Sequence, residues 1–141
     1  MSNNLTNLLI IDGTKKGERF VIKYNGVSVA LTAKSFKYLT KLAFSRTNSE
    51  NSGWIHKTDI EPGYNQARYL YRLKTELKKS LGKDNIPEIE NVRNGKYRLK
   101  IKPERIGFKL ENLISHEDFE ISSLFDKEHL LYLRKITKTV N

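Results

Sequence analysis

The chain has 141 residues, a formal net charge of +10, 38% hydrophobic and 30% charged residues, and no cysteine. That balance suits one globular unit with a modest core and excludes wholesale disorder; the lack of thiols excludes a disulfide framework, thiolate chemistry and Cys-based zinc sites. No apolar run approaches the roughly 20 residues that span a bilayer, and the polar opening MSNNLTN has no basic leader, so a cytoplasmic protein is expected.

The charge is unevenly spread. Residues 14–102 hold 20 Lys and Arg against 8 Asp and Glu, whereas residues 103–141 hold 6 against 7. The positive field therefore belongs to the body and not to the tail. Nucleic acid is the commonest partner for such a field, because neutralising phosphates releases counterions; an anionic membrane surface or an acidic protein would also fit.

The first expected element is a strand over residues 8–11, closed by a turn at Asp12-Gly13. The run from Gly13 to Gly17 lacks the spacing and the following helix of a phosphate-cradling loop, and reads as a turn. Strands follow over residues 19–24 and 27–31. Asn25-Gly26 between them supplies the positive φ angles of a type I′ hairpin, and alternation points Val27, Val29 and Leu31 inward. At Thr32, an N-cap residue, the period changes. Phe36, Leu39, Leu42 and Ala43 recur at helical spacing, with Tyr38 close to the same face, and the helix should end near Ser45 or Arg46. After a polar loop, Trp54 and Ile55 restart the buried pattern. A short helical turn carries Ile60 inward and stops at Pro62-Gly63.

Residues 65–81 form the organising helix. Leu70, Leu73 and Leu77 make its buried stripe, while Arg68, Arg72, Thr75 and Lys79 run along the opposite side with Tyr71 and Lys78 flanking. Such a helix rests on its leucines and offers guanidinium groups to a polyanion. Gly82 is placed as its C-cap. Two short helices joined by a tight connection match the helix-turn-helix pattern. Strands over 86–93 and 96–101, joined at Asn94-Gly95 by a second type I′ signal, then carry Arg93, Lys96, Arg98, Lys100 and Lys102. A helix-turn-helix followed by a basic hairpin is the winged-helix order, with the helix in the major groove and the hairpin at adjacent phosphates or the minor groove.

From about residue 19 to 101 the chain resembles the winged-helix effector domain of the OmpR/PhoB-type response regulators, without the receiver domain. Leu31 and Thr32 followed by Phe36, Leu39, Leu42 and Ala43 fit the family's first helix, and Ile55 and Ile60 its second. Leu70, Tyr71, Arg72, Leu73 and Lys74 fit the segment usually written Ile-Ser-Arg-Leu-Arg. Ile89, Val92 and Arg93 with Tyr97, Arg98 and Leu99 fit the wing. The resemblance implies that Arg72 reaches base edges with Arg68 beside it, that Arg93 enters the minor groove and that Asn91 lies near a phosphate. The full expected DNA-binding set is Gln66, Arg68, Tyr71, Arg72, Thr75, Lys79, Asn91, Arg93, Lys96 and Arg98. RNA polymerase is a partner that the resemblance also implies, through the loop before the recognition helix.

The expected fold is thus α+β: a winged helix-turn-helix with an N-terminal antiparallel β-sheet, a three-helix core, a C-terminal β-hairpin wing and an extra C-terminal helical tail. Residues 1–102 would form the DNA-binding domain and 103–141 the extension. In the tail, Pro103 stops the last strand and Ile106, Phe108 and Leu110 alternate as a brief extended segment. Asp126 would cap a helix bearing Leu130 and Leu133, which either packs on the parent domain or forms a homodimer interface. His56, His116 and His129 are scattered and no nucleophile–base pair is readable, so no metal, cofactor or enzymatic activity is expected. The expected function is sequence-specific binding of double-stranded DNA in transcription regulation. The alternative is a protein–protein interaction module on the same scaffold, with DNA binding weak or lost.

Overall fold

The computed structural model describes residues 7–48 and 50–126. Three strands open the chain as an antiparallel meander: β1 (Leu9–Lys16), β2 (Arg19–Tyr24) and β3 (Val27–Thr32). Asn25 and Gly26 have φ of +52° and +84°, as a type I′ turn demands, and Tyr24 pairs with Val27 across it. Val29 and Leu31 point into the core, whereas Val27, beside the turn, stays largely exposed. β1 does not stop at Asp12-Gly13. The strand bulges there and resumes pairing at Lys15, opposite Phe20. The Asp12 carboxylate accepts from the Thr14 backbone N–H at 2.9 Å and also from its hydroxyl, and Gly13 takes a φ of +81°, so the bulge satisfies itself locally.

α1 (Ala33–Thr47) follows Thr32 directly and buries Phe36, Tyr38, Leu39, Leu42 and Ala43 completely. Next come β4 (Ile55–His56), the single turn α2 (Lys57–Ile60) with Ile60 buried, α3 (Gln66–Leu81), β5 (Ile89–Val92) and β6 (Lys96–Leu99). The last two strands and β4 form an antiparallel sheet in the order β4-β6-β5. β5 is shorter than its composition suggests: Pro87 has no N–H to give to a ladder, and beyond Ile89 the pairing continues only as the Lys100 N–H to Glu88 carbonyl bond of 2.9 Å.

The segment after Pro103 joins the fold. β7 (Ile106–Phe108) pairs in parallel with β1, completing a mixed sheet in the order β3-β2-β1-β7 where an antiparallel one is expected. Gly107 lies opposite Ile10, and a Cβ there would come within 3.0 Å of the Ile10 side chain. Leu113 of α4 (Leu110–Ile114), Ile121 of α5 (Phe119–Ser122) and Phe125 enter the same buried cluster as Leu9, Phe36 and Leu73. The helix expected after Asp126, and the dimer interface read into it, lie outside the described residues. Those residues hold sheets of four and three strands and five α-helices around one core, an α+β fold.

α3 meets this core through Leu70, Leu73 and Leu77, all at most 3% exposed, each burial worth roughly 1.5–3 kcal/mol. Its rotation is pinned by Glu76. That carboxylate accepts from the Thr32 backbone N–H at 2.9 Å, the Thr32 hydroxyl at 2.7 Å and the Ser35 hydroxyl at 2.7 Å. Thr32 makes no side-chain cap of its own, so a residue 44 positions away closes the N-terminus of α1, where a negative charge also meets the positive end of the helix dipole. On the other side of α1, Glu120 accepts from Lys41 at 2.7 Å and Lys37 at 3.1 Å, and these bonds hold its carboxyl down at about 2.

His116 stacks on Phe36 at 5.5 Å and lies 4.5 Å from the Phe20 ring. Its Nδ1 accepts from the Asp118 backbone N–H at 2.9 Å, which puts the proton on Nε2, a buried atom with no partner among the described residues. Burial holds the imidazole below its usual value, against the opposing pull of Asp118 and Glu117 and with help from Lys15.

Two outcomes follow from these contacts. Glu76→Ala leaves the Thr32 N–H and the Ser35 hydroxyl without their acceptor, and urea unfolding should register a loss of about 2–3 kcal/mol. His116 is neutral in the fold, while the unfolded chain takes up a proton near 6.5. Stability therefore falls as pH drops through that value and levels off once the lower folded value is passed. Melting curves of wild type should descend between pH 7.5 and 5.5 and those of His116→Phe should stay flatter; an equal descent in both would contradict the assignment. The carboxylates Glu61 and Glu120, held below 4.5 when folded, withdraw their stabilisation only at lower pH.

Candidate nucleic-acid interface

With the leucine stripe down and Glu76 turned inward, the outer face of α3 is set. Arg68, Tyr71, Arg72, Thr75 and Lys79 are all exposed on it, and Lys78 beside them is exposed too. Tyr71 is 72% exposed. The Arg72 side chain is 56% exposed and its Nε lies 3.7 Å from Glu76, a weak i,i+4 pairing that leaves most of the guanidinium facing outward. The Thr75 hydroxyl donates to the Tyr71 carbonyl at 3.0 Å and so is partly committed to its own helix. Glu76 is the only acidic residue of α3, and its engagement with Thr32 and Ser35 removes negative charge from the outer face.

Gln66 does not belong to that face. It is 2% exposed, and its amide donates to the Glu61 carbonyl at 2.5 Å and the Gly63 carbonyl at 2.9 Å. At the first turn of α3 its side chain satisfies the carbonyls of the α2–α3 connection, a need that outweighs reaching solvent. Glu61 in the same connection accepts from the Tyr38 hydroxyl at 2.7 Å and pairs with Lys34 and Lys37. Burial raises its carboxyl, but these donors outweigh burial and leave it below the ordinary value.

The hairpin carries the second basic cluster. Asn94 and Gly95 have φ of +79° and +71°, but Val92 pairs with Lys96, so Arg93, Asn94 and Gly95 form a three-residue connection and not a two-residue one. That register puts Arg93 in the turn itself. Asn91, Arg93 and Lys96 are exposed, as is half of Val92. Arg98 is removed from the set. It lies opposite Glu90 in the ladder and donates to it from Nε at 2.9 Å. It donates again to the Ser52 carbonyl at 3.1 Å and stacks 4.4 Å from the Trp54 ring. With its side chain 23% exposed, Arg98 braces the hairpin against β4 and the loop before it.

The hairpin tip and the helix pair are joined directly. The Lys57 N–H, first in α2, donates to the Gly95 carbonyl at 2.8 Å, and the Lys57 side chain lies against Gly95. Tyr64, missing from the sequence-derived set, is 98% exposed in the loop that leads into α3. Its only signal is its place after Pro62-Gly63. A cavity of about 540 Å³ lies between α1, β4, α2 and α5, and its charged lining is largely engaged: Lys41 with Glu120, and His56 Nδ1 with the Thr58 hydroxyl at 2.8 Å. Among the described residues no group of three His, Cys, Asp or Glu converges as for a metal ion, and no helix is long and apolar enough to cross a membrane. Comparison with protein-family models, curated proteins and solved structures finds no match.

Proposed function

We propose that the chain is a cytoplasmic, sequence-specific double-stranded-DNA-binding transcription regulator of winged-helix build, with α3 in the major groove and the β5–β6 hairpin at the minor groove. The observation that carries this reading is the outer face of α3, where Arg68, Arg72, Lys78 and Lys79 are exposed and the only acid of the helix is turned away. The element order α1-β4-α2-α3-β5-β6, with β4 paired to β6, supports it, since that is the arrangement in which a hairpin stands beside a recognition helix. α3 has 16 residues, about 24 Å at 1.5 Å each, and a helix of ordinary diameter fits the roughly 12 Å width of the major groove. Arg68 and Arg72 are then the base-reading forks, with Tyr71 and Thr75 beside them and Lys79 on the phosphates. Arg93 enters the minor groove, with Asn91 and Lys96 on the backbone.

A second reading keeps the scaffold for protein contacts and has DNA binding weak or lost. The exposure of Tyr64 at 98% and Phe119 at 79% favours it, because large apolar side chains left in solvent are common anchors of protein interfaces. The α2–α3 loop that carries Tyr64 is where an RNA polymerase contact belongs.

Selection of bound sequences from a random DNA library tests the first reading and supplies the site. On the selected site, Arg72→Ala should weaken specific binding by about 1–3 kcal/mol and relax preference at one position. Lys79→Ala should instead weaken binding to all sequences alike and flatten the salt dependence by about one phosphate contact. A flat titration with DNA at low salt, or no change in Arg72→Ala, would overturn the assignment of α3.

A further inference from the structure

A second basic site lies away from α3. Where the last turn of α1 meets the end of β6, a cavity of about 400 Å³ is lined by Arg46, Lys100, Lys102 and Arg105, with Glu104 the one acid of its lining among the described residues. Its volume falls in the range of small-molecule sites. Arg46 is held in place by the fold. Its Nε donates to the Ile101 carbonyl at 2.8 Å and its Nη1 to the Ser52 carbonyl at 3.1 Å. Gly53, at φ +87°, leaves the room it occupies: a Cβ at that position would come within 2.9 Å of the Arg46 side chain and 3.0 Å of its Cα. A guanidinium oriented in advance loses little freedom on meeting an anion. Ile101, 4% exposed, forms an apolar wall beside it. Lys102 is exposed, and Lys100 has only a loose, exposed pairing with Glu88 at 3.9 Å, so both ammonium groups can turn into the cavity.

Like charges gathered in one concavity repel each other unless an anion joins them. The cavity lies at the end of β6 away from the hairpin turn, with Lys102 seven residues beyond Gly95. We propose that this pocket binds the phosphoryl group of a small anionic molecule, with Arg46 as the fixed fork and Lys100 and Lys102 as the closing charges. The site stands independently of the DNA reading.

Pyrophosphate serves as the probe, with the full chain, in thermal melts and backbone-amide NMR titrations at constant ionic strength. Wild type should show a saturable rise in Tm beyond that given by chloride, with the largest amide shifts at Ile101 and Lys102. Lys100→Ala with Lys102→Ala, both on exposed side chains, should weaken apparent affinity at least tenfold while DNA affinity changes less than threefold. Arg68→Ala with Arg72→Ala should leave the pyrophosphate response intact. The proposal is overturned if stabilisation is no greater than that from chloride or survives the lysine pair. It is equally overturned if the response follows the α3 variants, or if the lysine pair lowers DNA and pyrophosphate affinity alike, which would make the pocket a backbone contact for nucleic acid.

Discussion

Everything on the basic side of this molecule depends on where α3 stops rotating. Three leucines give it an apolar stripe, but an apolar stripe alone fixes the roll of a helix only loosely. The Glu76 carboxylate removes that freedom because its three donors sit on another element: the end of β3 and the first turn of α1. One interaction therefore closes the open N-terminus of one helix and sets the angular position of another. Its cost is low, since the same N–H would otherwise need water or a local cap. Arg19, 3.6 Å from the same carboxylate, extends the link to β2.

The handling of charge follows from the same geometry. A chain with a net charge of +10 must neutralise part of that charge where elements pack, or the compact state repels itself. Here the acids are used selectively. Glu117 and Glu120 meet Lys15, Lys37 and Lys41, Glu61 meets Lys34, and Glu90 meets Arg98. All of these cations lie on β1, α1 or the inner side of the hairpin. Among the described residues, the outer face of α3 and the hairpin turn receive no such partner apart from the loose Arg72–Glu76 contact. The acidic residues after Pro103 thus concentrate the field of the body on one side by quenching it on the other.

What could be read from the sequence is what local chemistry decides. Asn25-Gly26 specifies its turn because few residue pairs accept two positive φ angles, and the leucines of α3 and the apolar positions of α1 announce their faces by spacing. Asn94-Gly95 has the right dihedrals, yet its register slips by one residue because Arg93 joins the turn. The harder features are all decided at long range. The Glu76 cap spans 44 residues, the Arg98 side chain chooses Ser52 over solvent across 46, and nothing near Ile106 says that it will lie beside Leu9. Gln66 and Arg98 look like surface donors in a sequence because Gln66 spends its amide on backbone carbonyls, while Arg98 divides its guanidinium among the Glu90 carboxylate, the Ser52 carbonyl and the Trp54 ring, which only the folded register brings together. Tyr64 is illegible for the opposite reason: a tyrosine after Pro62-Gly63 has the look of loop filler.

The parallel pairing of β1 with β7 has a consequence for how the chain is made. A ribosome releases residues 9–16 early, but the strand that covers their outer edge is not synthesised until residue 108. During that interval the nascent hairpins hold an uncovered edge of Leu9, Ile10 and Ile11, an apolar template to which a neighbouring chain can add. Helix formation around residues 33–81 is local and quick, whereas closure of the four-stranded sheet is a late, slow step of high contact order. The vulnerable period for aggregation therefore lasts until β7 has been made and has paired with β1.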